Sequence, residues 1–126
     1  MSNDNPKKYD LKERTFLLSK NLVSALKKIK GTAINQNSIL QCVRSGTSTG
    51  ANYHEADCAE SRKDFEHKIG ICKKEAQETQ YWLKLLLETE ENTPDLEKLC
   101  GEAEELTKIF VAISLKSKAN SLDIRN

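Results

Sequence analysis

The residues whose types and spacing could support catalysis or binding lie in one stretch, residues 44–56. Within it, residues 46–50 match G-x-S-x-G, the pattern that presents the nucleophilic serine of many hydrolases. That pattern functions where a strand precedes it, a helix follows it and a parallel sheet carries the aspartate and histidine. The flanking residues have helical rather than strand periodicity, so the match predicts neither a hydrolase nor a catalytic residue.

Metal ligation is poorly supported by the spacing of the candidate ligands. His54 and Cys58 lie one helical turn apart, but two ligands alone rarely define a site. The four cysteines include no C-x-x-C pair, and Glu75 is followed at the third position by Glu78 instead of the histidine of a di-iron bundle. We therefore expect no metal site, no cofactor and no enzymatic activity.

Four polar residues of the same stretch share one face of a predicted helix, because they are spaced by four, four and three positions. They are Arg44, Ser48, Asn52 and Glu55. One interpretation is a solvated face. The other is a buried hydrogen-bonded seam at a subunit interface, with Arg44 paired to a carboxylate across it, since these side chains can satisfy one another's donors and acceptors. The sequence leaves both open.

Two glycines are unusual for the interior of a predicted helix. Gly46 and Gly50 each cost about 1 kcal/mol relative to alanine in such a position. They are four residues apart and so share one face of the helix. We expect this face to pack closely against the backbone of a neighbouring helix, with a kinked helix as the alternative.

Charge is unevenly distributed along the 126 residues. Residues 1–54 hold nine Lys and Arg against three Asp and Glu, whereas residues 55–126 hold eleven against sixteen. Residues 88–105 alone carry eight acids and one lysine. A basic half permits binding to a polyanion such as RNA or DNA. The candidate nucleic-acid contacts are Lys12, Arg14, Lys20, Lys27, Lys28 and Lys30.

Apolar residues recur at alternating steps of four and three in three long segments. In the first segment, the stripe is Leu11, Thr15, Leu18, Leu22, Ala25 and Ile29. Such steps are typical of packed amphipathic helices, and short connections favour antiparallel neighbours. The pattern predicts an all-α, antiparallel up-down-up-down four-helix bundle over residues 9–117. We expect helices at about 9–30, 35–59, 62–90 and 94–117, with mobile tails at 1–8 and 118–126.

Apolar residues beside these stripes, such as Phe16, Val23 and Trp82, widen the apolar face of the helices. A widened face favours a second buried surface and hence self-association. No apolar run approaches the ~20 residues that span a bilayer. No apolar segment follows the first lysines, as a secretory signal would require. We therefore expect a cytoplasmic protein with no membrane partner.

The sequence RSGTSTGANYHEA at residues 44–56 resembles the signature of the intervening-sequence proteins of bacterial large-subunit ribosomal RNA, a family of small four-helix-bundle proteins. Further matches are Tyr9-Asp10-Leu11, Lys74-Glu75-Ala76, Tyr81-Trp82-Leu83 and Glu102-Ala103. The resemblance extends from about residue 9 to residue 117. One departure is Lys30-Gly31, where the family often has Leu-Pro, and it concerns the first turn alone.

The resemblance implies a homopentameric ring and no established enzymatic activity. The family is similar to the accessory protein of diversity-generating retroelements, a basic pentamer that binds nucleic acid and works with a reverse transcriptase. The preferred hypothesis is a non-enzymatic, oligomeric protein that binds RNA, or DNA, through a basic surface. The alternative is a scaffold or accessory subunit for a protein partner such as a reverse transcriptase, without direct nucleic-acid contact.

Overall fold

Four helices account for most of the structure, a computed structural model that describes residues 10–91 and 93–125. They are α1 (Leu11–Leu26), α2 (Gln36–Asp57), α3 (Arg62–Thr89) and α4 (Pro94–Arg125). No strand occurs in these two ranges. The prediction of an all-α chain built from four helices is therefore confirmed.

Contacts between side chains show how the helices are arranged. Ser19 of α1 donates to Gly46 of α2, Arg44 of α2 pairs with Glu75 of α3, and Gln80 of α3 donates to Thr107 of α4. A second contact in each pair is Lys12 with Asp57, Lys68 with Glu55, and Ser117 with Glu66. In every pair the residue number falls on one helix as it rises on the other, as an antiparallel arrangement requires. Helix α1 packs much more extensively on α2 than on α4, and a groove separates α1 from α4.

The helix boundaries follow local capping signals. Asp10 accepts a hydrogen bond from the Glu13 amide at 3.4 Å, and Ser61 accepts one from the Asp64 amide at 3.0 Å, as their spacing predicts. Helix α1 ends at Leu26, before the predicted end at 30. The connection is stabilised instead by reciprocal bonds between Thr32 and Asn35, of 2.7 and 3.1 Å.

The predicted end of the fourth helix near residue 117 is wrong, because α4 continues to Arg125. The apolar stripe fades near residue 117, but residues 118–125 contain neither glycine nor proline to end the helix. The predicted N-terminal tail, residues 1–8, lies outside the described residues. Although α4 is 32 residues long, no described helix combines the length and apolarity that crossing a membrane requires.

The core consists of large apolar side chains interleaved with small hydroxyl-bearing ones. Leu22, Leu83 and Phe110 are fully buried, and so are Thr15 and Thr79. The Thr79 hydroxyl lies within hydrogen-bond distance of two acceptors, the Glu75 carbonyl oxygen at 2.8 Å and the Ser45 Oγ at 2.9 Å. Small, hydrogen-bonded residues at these positions bring α2 and α3 together without leaving a buried polar atom unpaired.

Differences in cysteine burial predict selective alkylation. Cys42 and Cys72 have no exposed surface, and burial raises the pKa of each thiol to about 12, whereas Cys58 is exposed. Because the thiolate is the reactive species, such a shift lowers its population roughly a thousandfold. We expect iodoacetamide at pH 8 to modify Cys58 in the native protein and Cys42 and Cys72 only after denaturation, as peptide mass spectrometry would show. Modification of Cys42 at the rate of Cys58 would contradict this burial.

Candidate nucleic-acid interface

Five of the predicted contact residues are exposed lysines on or just after α1. We call this surface the lysine face; it comprises Lys12, Lys20, Lys27, Lys28 and Lys30. Two of them have ion-pair partners: Lys12 lies 3.7 Å from Asp57, and Lys28 lies 3.2 Å from Asp95. Both pairs are largely solvated, so water and salt screen them. Lys20, Lys27 and Lys30 form no ion pair with any residue that the structure describes.

Arg14, the sixth predicted nucleic-acid contact, does not belong to this exposed surface. The residue is 9% exposed and faces the groove between α1 and α4. Its Nε and Nη2 atoms donate to the two carboxylate oxygens of Glu102, at 3.0 and 2.7 Å. This bidentate pairing is the main cause that raises the pKa of Arg14. The guanidinium therefore joins two helices of the same chain.

Both glycines of α2 face α1. A side-chain carbon on Gly46 would overlap Cδ1 of the buried Leu22. One on Gly50 would lie 3.1 Å from the Thr15 carbonyl oxygen and 3.1 Å from Ser19 Oγ. The backbones of α1 and α2 thus lie so close together that a residue larger than glycine would not fit at these two positions. This close approach holds the lysine face beside α2.

The polar stripe of α2 lies along its edge with α3. Arg44 is exposed and bonds to Glu75 at 2.7 Å, and it also pairs with Glu78. Glu55 pairs with Lys68 at 2.6 Å. These carboxylate and lysine partners are on α3 of the same chain, so Arg44 does not need a second subunit to pair with a carboxylate.

The middle of this stripe has its own local bonds. The Asn52 amide donates to Ser48 Oγ at 3.0 Å, and both residues are half-buried. Next to Arg44, the Trp82 indole donates to Glu78 at 2.9 Å. That bond, with a further contribution from Arg44, lowers the pKa of the Glu78 carboxyl. Within a single chain, the stripe is a set of hydrogen-bonded surface pairs.

On the α2 side of α1 the lysine face has few acids near it, whereas Asp95, Glu102 and Glu105 of α4 line the groove on the other side. Residues 14–54 include no Asp or Glu, although they include six Lys and Arg. They form most of α1, the first connection and most of α2, and these two helices are neighbours. Glu13 is the one acid of α1. The positive potential of the lysines is therefore weakly opposed by α1 and α2.

One residue of this surface, Phe16, is not among the nucleic-acid contacts predicted from the sequence. Phe16 lies on α1, four residues after Lys12 and four before Lys20, and is 55% exposed. The sequence places it in the widened apolar band. Phe16 lies outside the heptad stripe and has a lysine one turn away on each side. This pattern is the sequence signal that distinguishes it from the buried apolar residues of α1.

The two candidate metal ligands, His54 and Cys58, lie at the end of α2. In the ranges 10–91 and 93–125, no group of three or more His, Cys, Asp and Glu side chains converges as a metal site would require. His54 instead lies 3.4 Å from the Lys12 carbonyl oxygen. Cys58 caps the end of α2.

Comparisons with known proteins agree with this architecture. The model of the 23S rRNA-intervening sequence protein family matches residues 7–112. The chain is also similar to a crystal structure, at 1.70 Å resolution, of a protein of unknown function from the S23 ribosomal protein family of Bacteroides thetaiotaomicron VPI-5482. The TM-score is 0.70 and the identity 36%, over 82% of this chain and 97% of that one. Curated proteins provide no match. Since the family model matches most of its length, the chain belongs to the 23S rRNA-intervening sequence protein family.

Proposed function

We propose that this protein is a non-enzymatic RNA-associated protein that binds the phosphate backbone through its lysine face. The observation that carries the proposal is the absence of Asp and Glu from residues 14–54, combined with the folding of those residues into two adjacent helices. A phosphate approaching Lys20 or Lys27 meets no neighbouring carboxylate from α1 or the facing part of α2. Lysine contacts to phosphate provide affinity with little sequence preference.

Self-association would strengthen such binding. We propose that the chain assembles into the homopentameric ring that the family resemblance implies. The exposed apolar side chains Tyr81, Val111 and Leu115 of α3 and α4 support a further buried surface on those helices. In a ring, five lysine faces would contact one RNA, and weak single contacts would then combine. Light scattering should give a mass five times the 14.2 kDa of one chain, and a monomeric mass would contradict the assembly.

The direct test neutralises part of the lysine face. We expect the triple variant Lys20→Gln, Lys27→Gln and Lys30→Gln to weaken binding to a structured RNA roughly tenfold or more at low salt. The slope of log Kd against log salt concentration should fall by about 2–3, because three phosphate contacts are lost. Fluorescence anisotropy titrations at several salt concentrations measure both quantities.

The control variant carries the same change in net charge on another helix. Lys63, Lys74 and Lys84 are exposed on α3, and replacing all three by Gln should leave the affinity within about twofold of the wild type, apart from the general charge effect. Equal losses of RNA affinity in the two triple variants would show that binding depends on net charge and not on the lysine face. No binding of the wild type at low salt would overturn the proposal and favour a scaffold for a protein partner.

A further inference from the structure

Packing among the residues that the structure describes does not explain the exposed ring of Phe16. Its neighbours Thr15 and Leu18 are fully buried, whereas Phe16 is 55% exposed on the opposite side of α1. The ring pairs in the described part of the chain are Tyr53 with Phe110 and Tyr81 with Trp82, so Phe16 stacks on no aromatic side chain there. An exposed phenyl ring leaves unfavourable apolar area in water unless a ligand covers it.

The position of Phe16 relative to the lysines is regular. Lys12, Phe16, Lys20 and Lys27 follow one another at intervals of four, four and seven residues. These intervals place Lys12, Phe16 and Lys20 on one exposed stripe of α1, with adjacent turns about 5–6 Å apart, and Lys27 follows as the residue that caps the end of the helix. An aromatic ring is therefore flanked along the helix by flexible cations. Lys12 is partly engaged by Asp57, so the Lys20 side of the ring is the more available one.

This combination suits a particular form of nucleic acid. A base in a duplex is stacked on both faces and cannot offer a face to a protein ring, whereas an unpaired base can. A phenyl ring between lysines provides a stacking surface for the base and cations for the phosphates next to it. A second copy of the chain is a weaker match for the stripe, because this part of α1 offers lysines where an apolar interface would be depleted of charge.

We propose that Phe16 is a stacking platform for an unpaired RNA base whose flanking phosphates are bound by Lys20 and Lys27. The inference rests on the proposed function, since it assigns a ligand class, single-stranded RNA, to the lysine face. Loops, bulges and single-stranded ends would be bound in preference to continuous duplex.

The test compares two RNA probes and three substitutions in the full chain. The probes are a fluorescein-labelled 12-nucleotide single strand and a labelled duplex of the same length. Phe16→Leu keeps an apolar side chain and good helix propensity but removes the ring, and we expect it to weaken single-strand binding about tenfold. Duplex binding should change less than about twofold. Phe16→Tyr should retain single-strand binding, because a phenol ring still stacks.

Two controls separate stacking from other roles of Phe16. Leu40 is similarly exposed on α2, and Leu40→Ala should leave binding to both probes unchanged. Light scattering of Phe16→Leu should give the wild-type mass. A changed mass would identify Phe16 as a subunit contact and overturn the proposal, as would equal losses for the two probes or no loss in Phe16→Leu.

The outcomes also separate this inference from the proposed function. If the triple lysine variant loses RNA binding while Phe16→Leu binds both probes like the wild type, the lysine face binds RNA and Phe16 does not stack. If the wild type binds neither probe at low salt, both proposals are overturned.

Discussion

Replacing Gly46 by valine should lower the free energy of unfolding by about 3 kcal/mol. The new side chain would occupy the space of Leu22 Cδ1, and Leu22 is fully buried, so neither residue can move into solvent. Either Leu22 adopts a strained rotamer or α1 moves away from α2, and both cost packing energy. Urea denaturation followed by circular dichroism at 222 nm measures the loss.

The matched control is Gly101, which is also inside a helix but would have no neighbouring atom within 4 Å of an added side-chain carbon. Gly101→Val should change the free energy of unfolding by less than about 0.5 kcal/mol, because valine and glycine differ little in helix propensity. Similar destabilisation in both variants would show that the contact of Gly46 with α1 does not contribute to stability beyond the effect of any helical glycine. No destabilisation in Gly46→Val would contradict the close packing of α1 and α2.

Replacing Glu102 by leucine should lower the free energy of unfolding by about 2–3 kcal/mol. The change removes the bidentate acceptor of the Arg14 guanidinium, which would remain charged in a site that is 9% exposed. Partial exposure of Glu102 places the expected loss below that of a fully buried ion pair. The double variant Arg14→Met with Glu102→Leu should recover part of the loss, because it removes the charge as well as its partner.

The exposed ion pair of Lys28 and Asp95 provides the comparison for the Arg14 and Glu102 variants. Both side chains are mostly exposed, so Asp95→Leu should cost no more than about 0.5–1 kcal/mol in the same urea titrations. A Glu102→Leu variant as stable as the wild type would contradict the structural role of the Arg14 pair. So would a strong loss of RNA affinity in a folded Arg14→Met variant, since Arg14 would then be a nucleic-acid contact.

Periodicity predicts the elements of this fold because it reflects which side of a helix is buried. The stripe from Leu11 to Ala25 and the caps at Asp10 and Ser61 are local signals, and the structure contains helices where they predict them. The end of α4 is not predictable in this way. An apolar stripe indicates where a helix packs, whereas Arg125 lies beyond the point at which the stripe fades.

The candidate site is less predictable because it depends on partners far apart in the sequence. Arg14 and Lys20 are both basic residues of α1. Arg14 is buried in an ion pair because Glu102, 88 residues away in the sequence, lies beside it, whereas Lys20 remains an exposed cation. Arg44 similarly obtains its carboxylates from α3. The sequence places Phe16 in an apolar band because spacing alone does not distinguish an exposed phenyl ring from a packed one.

Lysine acetylation footprinting of the wild-type protein tests the lysine face most directly, because it requires no substitution. The protein is treated with acetic anhydride with and without RNA, and modification of each lysine is quantified by peptide mass spectrometry. Bound RNA should protect Lys20, Lys27 and Lys30, while Lys63, Lys74 and Lys84 on α3 remain as reactive as in the free protein. Protection of the α3 lysines, or equal reactivity of both groups with RNA bound, would contradict the assignment of RNA binding to α1.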